Sequence, residues 1–159
     1  MTNRKLAYIV KDQKPLVLAA HETVLHACRC MRERRAGSVL VIDDQQRLSG
    51  IFTGRDAVRT LAEGKDAAVT TLAQAMTPDP ITITPVSRAI DALRTMGNGG
   101  FRHLPVEAAV YSLAGASFFI PRAWHRLRLR PSPLRIRVAP AAQRRRVVCA
   151  TFVRLGPAL

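Results

Sequence analysis

Thr53, Arg55 and Asp56 fall within four residues of one another, in the run Thr53-Gly54-Arg55-Asp56 that follows an apolar stretch of strand length. A hydroxyl at a strand end and a carboxylate in the first turn of the next helix can accept hydrogen bonds from two adjacent sugar hydroxyls, while the helix N-terminus favours phosphate. Arg55 is then placed to pair with a phosphate oxygen. Thr and Asp at such a junction also cap helices without any ligand, by satisfying backbone N–H groups of the first turn. The four residues alone leave both roles open.

A second group, His26-Ala27-Cys28-Arg29-Cys30, has the residue types of a metal site. On a helix His26 and Cys30 share a face and Cys28 points elsewhere, so two ligands converge where a zinc site built from the protein needs at least three. Cys28 reads as a core position, and no metal is expected. With Cys149 the cysteines number three, too few and too unevenly spaced for a disulfide framework.

The elements that must hold these residues are legible from hydrophobic period. Leu16-Val17-Leu18 reads as a short buried strand, and Val24, Leu25, Cys28 and Met31 recur at helical spacing after Thr23. Gly37 ends that helix. Ser38–Ile42 and Leu48–Thr53 are strands around the polar turn Asp43-Asp44-Gln45-Gln46. A helix from Gly54 or Arg55 to Gly64 is expected to turn Ala57, Val58, Leu61 and Ala62 inward. The unit is β-α-β-β-α.

That unit recurs. Pro15–Ile42 aligns without a gap to Pro80–Glu107, 65 positions later, matching Leu16 to Ile81, Leu18 to Ile83, Ala27 to Ala92, Met31 to Met96 and Val41 to Val106. One such unit is too small to bury much apolar surface alone, so two are expected to pack as a pair. The α/β (α+β) chain divides into repeat 1 at 7–65, a linker at 66–79, a partial repeat 2 at 80–120 and a tail at 121–159. In repeat 2, Ser87 is the expected N-cap, and Gly97-Asn98-Gly99-Gly100 is expected to close the helix. The counterpart of Thr53–Asp56 is lost, because positions 118–121 read Phe118-Phe119-Ile120-Pro121. Leu113 and Gly115 still match Leu48 and Gly50, which leaves room for a final strand.

The order Val39–Asp44, Leu48–Asp56, Met76-Thr77-Pro78 and Phe101-Arg102-His103-Leu104-Pro105-Val106 resembles the cystathionine-β-synthase (CBS) domain, over residues 7–107. The resemblance implies a tandem pair that senses adenosine-containing ligands such as AMP, ATP or S-adenosylmethionine, regulates a partner, commonly dimerises and does not catalyse. It implies that Asp56 and Thr53 hold a ribose, that adenine lies near Leu16, Leu18, Ala36 and Ser38, and that His103 faces the phosphates beside Arg55.

Composition bounds the rest. Residues 1–107 carry 15 Lys/Arg and 11 Asp/Glu, a surplus of four positive charges, whereas 108–159 carry ten Arg and no acid. The tail is the feature that points to nucleic acid, through Arg126, Arg128, Arg130, Arg135, Arg137 and Arg144-Arg145-Arg146. Few aromatics accompany those arginines, and non-specific stickiness is the simpler expectation. The abrupt loss of Lys, Asp, Glu and Asn beyond Glu107 also fits an out-of-frame reading of a GC-rich gene. No apolar run reaches the ~18 residues of a membrane span, and the N-terminus does not resemble a secretory signal, so a cytoplasmic protein is expected. No nucleophile-base pair emerges, so no enzyme is expected. The leading expectation is a non-enzymatic adenine-nucleotide sensor that needs no cofactor; the alternative is a basic nucleic-acid-binding protein.

Overall fold

A computed structural model describes residues 4–107 and the backbone of 116–119. The tail 121–159, with its nucleic-acid and out-of-frame readings, and the positions of Leu113, Gly115 and Pro121 lie outside the described residues.

Copy one forms as β-α-β-β-α. Strand β1 (Val17–Ala19) leads to helix α2 (Val24–Glu33), strands β2 (Ser38–Ile42) and β3 (Leu48–Thr53), and helix α3 (Gly54–Ala62); a short helix α1 (Leu6–Val10) precedes them. Thr23 starts α2 by accepting a hydrogen bond from the His26 N–H at 3.2 Å, the N-cap arrangement that satisfies an orphan donor. Strand β2 is buried at all five positions and lies between β1, parallel, and β3, antiparallel, which accounts for its unbroken apolar run. Beyond β3, helix α4 (Leu72–Ala75) leads into strand β4 (Thr77–Pro78), the antiparallel edge of the sheet. Gly50 is what lets β4 approach, because a Cβ there would meet the Met76 side chain.

Copy two repeats this plan in reduced form. Helix α5 (Ala89–Gly99) is followed by strands β5 (His103–Val106) and β6 (Ala116–Phe119), paired antiparallel. The parallel strand that opens copy one survives as a single bridge between Ile83 and Val106, the 65-residue counterpart of the Leu18–Val41 pair. A final strand is therefore present, one residue out of step. Leu40 faces Ile51 in copy one, whereas Pro105 faces Ser117 rather than Ala116 in copy two.

The two copies are closed by each other's leading segments. Helix α1 is built into copy two: Leu6 and Val10 pack with Ala89, Ala92, Met96, Leu104 and Val106. Helix α4, which precedes copy two, is built into copy one: Leu72 and Ala75 pack with Val24, Ala27, Val39 and Phe52. The hydrogen bonds repeat as well. Leu6 N donates to Ser87 O and Ala7 N to Pro85 O, as Leu72 N donates to Glu22 O and Ala73 N to Ala20 O, while Ala89 N reaches Arg4 O as Val24 N reaches Thr70 O. The packing units therefore interleave along the chain.

Two local expectations are corrected. Val58 and Leu61 are 67% and 65% exposed, and Ala62 is exposed, whereas the buried residues of α3 are Asp56 and Thr60. Ala57 does pack against the core of copy one, but the positions buried most deeply are polar, which apolar period alone could not show. The N-cap of α5 is Arg88, not Ser87, whose hydroxyl lies 3.0 Å from that of Thr84. The helix does close within Gly97-Asn98-Gly99-Gly100: it runs to Gly99, and Gly100, with φ of 66°, supplies the left-handed conformation of a C-terminal glycine.

Leu6 and Leu72 are both fully buried, and truncating either removes transfer energy and leaves a cavity. Leu6→Ala and Leu72→Ala are each expected to lower unfolding free energy by about 2–5 kcal/mol. Tyr8→Ala, at a residue 66% exposed, is expected to change it by less than about 0.5 kcal/mol, with urea denaturation as the measurement.

Candidate functional site

The junction between β3 and α3 is organised by Asp56. Its carboxylate Oδ2 accepts the Thr53 backbone N–H at 2.8 Å and the Thr53 hydroxyl at 2.7 Å, while Oδ1 pairs with Arg59 Nη2 at 2.9 Å. Asp56 is 3% exposed, and three donors offset the loss of water around a buried carboxylate. Capping is therefore a real role of this residue. It does not use up the site's capacity: Oδ1 keeps an acceptor position, and the Thr53 hydroxyl, having given its proton to Asp56, keeps its lone pairs.

These residues line a cleft of about 800 Å³, within the usual size of small-molecule sites. Copy one supplies Ala36, Gly37, Ile51 and the stretch Thr53–Asp56 with Arg59. The linker supplies Thr77, Asp79, Pro80 and Ile81, and copy two supplies Phe101, Arg102 and His103. Arg35 stands at the cleft with φ of 51° and Asp79 with φ of 45°. Non-glycine residues held in the left-handed region cost energy and cluster at functional sites.

Of the residues singled out in the sequence, Ala36, Thr53, Arg55, Asp56 and His103 are brought together in the cleft, and Leu16, Leu18 and Ser38 are not. Leu16 belongs to the core of copy one, Leu18 packs against that core, and Ser38 is 3% exposed at the start of β2. The order of the sheet explains this. β1 lies on the far side of β2 from β3, so its side chains serve the core and not the β3–α3 junction.

Phe101, Arg102, Arg59 and Asp79 were missed. For the first two the signal was present, since the repeat sets Phe101-Arg102-His103 opposite Ala36-Gly37-Ser38. Two small residues on one wall face an aromatic and a guanidinium on the other. The Phe101 ring lies where a Cβ on Gly99 would be, so glycine at the end of α5 is what lets the ring settle there.

Electrostatically the cleft is cationic: Arg35, Arg55, Arg59 and Arg102 stand against Asp56 and Asp79. His103 is held neutral within it. Burial, then the charge of Arg102 and, more weakly, of Arg55 bring its pKa from 6.5 down to about 4, although Asp56 pulls the other way.

Comparison with known proteins bears on this arrangement. The family model for the CBS domain matches residues 9–63 and 70–108, more than half of the chain. The chain belongs to the CBS-domain family. It is 46% identical over 94 residues to a CBS domain-containing protein of Arabidopsis thaliana, a match covering 58% of this chain and 18% of that one. An uncharacterised 17.7 kDa protein of Acidianus ambivalens is 39% identical over 97 residues, covering 61% and 58%. The chain thus spans less than a fifth of the length of the plant relative. Among solved structures, a protein with CBS domains from Burkholderia ambifaria aligns with a TM-score of 0.62 at 24% identity, covering 65% of this chain and 80% of that one. A CBS domain protein from Pyrobaculum aerophilum, complexed with AMP, aligns with a TM-score of 0.62 at 18% identity, covering 66% and 79%. No helix among the described residues is long and apolar enough to cross a membrane, and no group of three or more His, Cys, Asp or Glu among them is arranged to hold a metal.

The neutral state of His103 ties stability to pH. As pH falls below 6.5 the unfolded chain takes up a proton that the folded CBS pair refuses until about pH 4, so stability is full above 6.5, falls between the two values and levels off below the lower one. Wild type is expected to lose up to roughly 3 kcal/mol more than His103→Gln between pH 7 and pH 4, measured by denaturant unfolding at a series of pH values.

Proposed function

We propose that this CBS pair is a regulatory module that binds an adenosine phosphate in the cleft between its copies. The observation that carries the reading is the meeting of Thr53 and Asp56 of copy one with Arg102 and His103 of copy two around a single cavity. The ribose hydroxyls would donate to Asp56 Oδ1 and Thr53 Oγ1. The phosphates would lie against Arg55, Arg102 and the N-terminus of α3, and the base against Ala36, Ile51 and Ile81.

Charge supports a phosphate over a sulfonium. Four arginines face two aspartates in the cleft, so AMP or ATP is favoured over S-adenosylmethionine, although related pairs have been solved with AMP and with S-adenosyl-L-methionine and 5'-methylthioadenosine. His103, neutral in the free cleft, would take up a proton as phosphate enters and would add to the attraction at lower pH.

Arg59 gives such binding a route outward. Its Nη2 holds Asp56 Oδ1 at 2.9 Å and Ala75 O at 2.8 Å, and Ala75 is followed at once by Met76, Thr77 and Pro78 of the linker. A ligand drawing on Oδ1 shares the atom that secures Arg59, so occupancy biases how the linker is held, a population shift between two packings of the pair. The reading includes a non-enzymatic, cytoplasmic homodimer that needs no cofactor and regulates a partner still to be found.

Isothermal titration with AMP, ATP and S-adenosylmethionine tests it. The phosphates are expected to bind more tightly than the sulfonium, and Asp56→Asn, which keeps the shape of the cap, to weaken them by about ten- to a hundredfold, as for loss of a charged hydrogen bond. Equal affinity in the variant would remove Asp56 from the site, and no heat with any of the three would remove the adenosine reading.

A further inference from the structure

Outside the cleft, one pair of metal-ligating side chains is already within chelating distance. On α2 the Cys30 Sγ lies 3.4 Å from the His26 Nε2, at an exposed position. The spacing of four residues stacks the two side chains on one face of the helix. Thr23 fixes the start of that helix by capping the His26 N–H, so both ligands stand on a rigid element. Cys28 and Cys30 are both half-buried and pack against the core of copy one; Cys28 lies on another face from His26, and burial raises its thiol pKa.

The separation suits a particular ion class. A tetrahedral centre with a metal–sulfur bond of about 2.3 Å and a metal–nitrogen bond of about 2.0–2.1 Å sets sulfur and nitrogen about 3.6 Å apart. The pair needs only a few tenths of an ångström to open to that bite. A thiolate with an imidazole selects zinc-like, borderline-soft cations over magnesium or calcium, which take oxygen ligands.

We propose that His26 and Cys30 form a two-ligand clip for a zinc-like divalent cation at the edge of α2, where the half-buried Cys30 meets the exposed His26, with water filling the remaining positions. Cys30 gives up its thiol proton to solvent on binding, and no redox change is involved. Among the described residues no third His, Cys, Asp or Glu completes the set, so this is an open, exchangeable site and not one that holds the fold together. It is separate from the adenosine cleft and stands whether or not that reading holds.

The test is the reactivity of Cys30 in the full chain carrying Cys28→Ala and Cys149→Ser, so that one thiol reports. Zn²⁺ is expected to slow alkylation of Cys30 by at least about tenfold, reversibly with chelator, because a metal-bound thiolate is no longer a free nucleophile. Mg²⁺ is expected to give no protection, and His26→Ala to abolish the protection by Zn²⁺. Absence of protection, equal protection by Mg²⁺, or protection that survives His26→Ala would each overturn the proposal. If the double variant fails to fold, Co²⁺ added to the native chain reads the same bond. A thiolate-to-cobalt charge-transfer band that is lost in Cys30→Ser supports the clip, and its absence in the native chain overturns it.

Discussion

Each half of this CBS pair is closed by a segment that belongs, in sequence, to the other. Leu6 and Val10 complete the core around α5 and β5, while Leu72 and Ala75 complete the core around α2, β2 and β3. Burial of a leucine contributes about 1.5–3 kcal/mol, and each of these helices is far too short to persist without it. Neither copy can therefore be folded and then docked. The same exchange carries one continuous stretch past the β3–α3 junction, first as β4 on the edge of β3 and then as the linker wall at Asp79, Pro80 and Ile81.

Asp56 sits where these constraints meet. A helix cap and a ligand group are usually opposed as explanations of the same carboxylate, but here the geometry accommodates both. Three of its acceptor positions hold Thr53 and Arg59, and one acceptor position on Oδ1 is left over. Because Arg59 also grips Ala75, the carboxylate that serves the cap through Oδ2 is linked through Oδ1 and Arg59 to the linker. The burial that keeps Asp56 at 3% exposure also makes each of those hydrogen bonds stronger than it would be in water.

The tandem β-α-β-β-α plan was legible because strand alternation, helix period and the repeated phase agreed, as at Leu18–Val41 and Ile83–Val106. The exchange was not, since five residues at Leu6–Val10 and four at Leu72–Ala75 are too few to show a period, and the Leu-Ala pairs that begin them are offset by 66 rather than 65. Val58 and Leu61 were assigned inward by a rule that assumes apolar faces are buried, and α3 instead buries a carboxylate and a threonine. Leu16 and Leu18 were placed near the site by resemblance; the structure has Leu16 in the core of copy one and Leu18 half-buried against it. Phe101 and Arg102 were readable in principle. They are large where their repeat partners Ala36 and Gly37 are small, and an asymmetric pair of walls is what a single cleft between two similar halves requires.

The central claim is that one ligand is held by both copies at once. Amide chemical shifts of the uniformly labelled protein titrated with AMP test it most directly. The account predicts that Gly37, Gly54 and Asp56 of copy one and Phe101, Arg102 and His103 of copy two shift together along one saturation curve. Shifts confined to copy one, two curves with different midpoints, or changes scattered away from the cleft would contradict it.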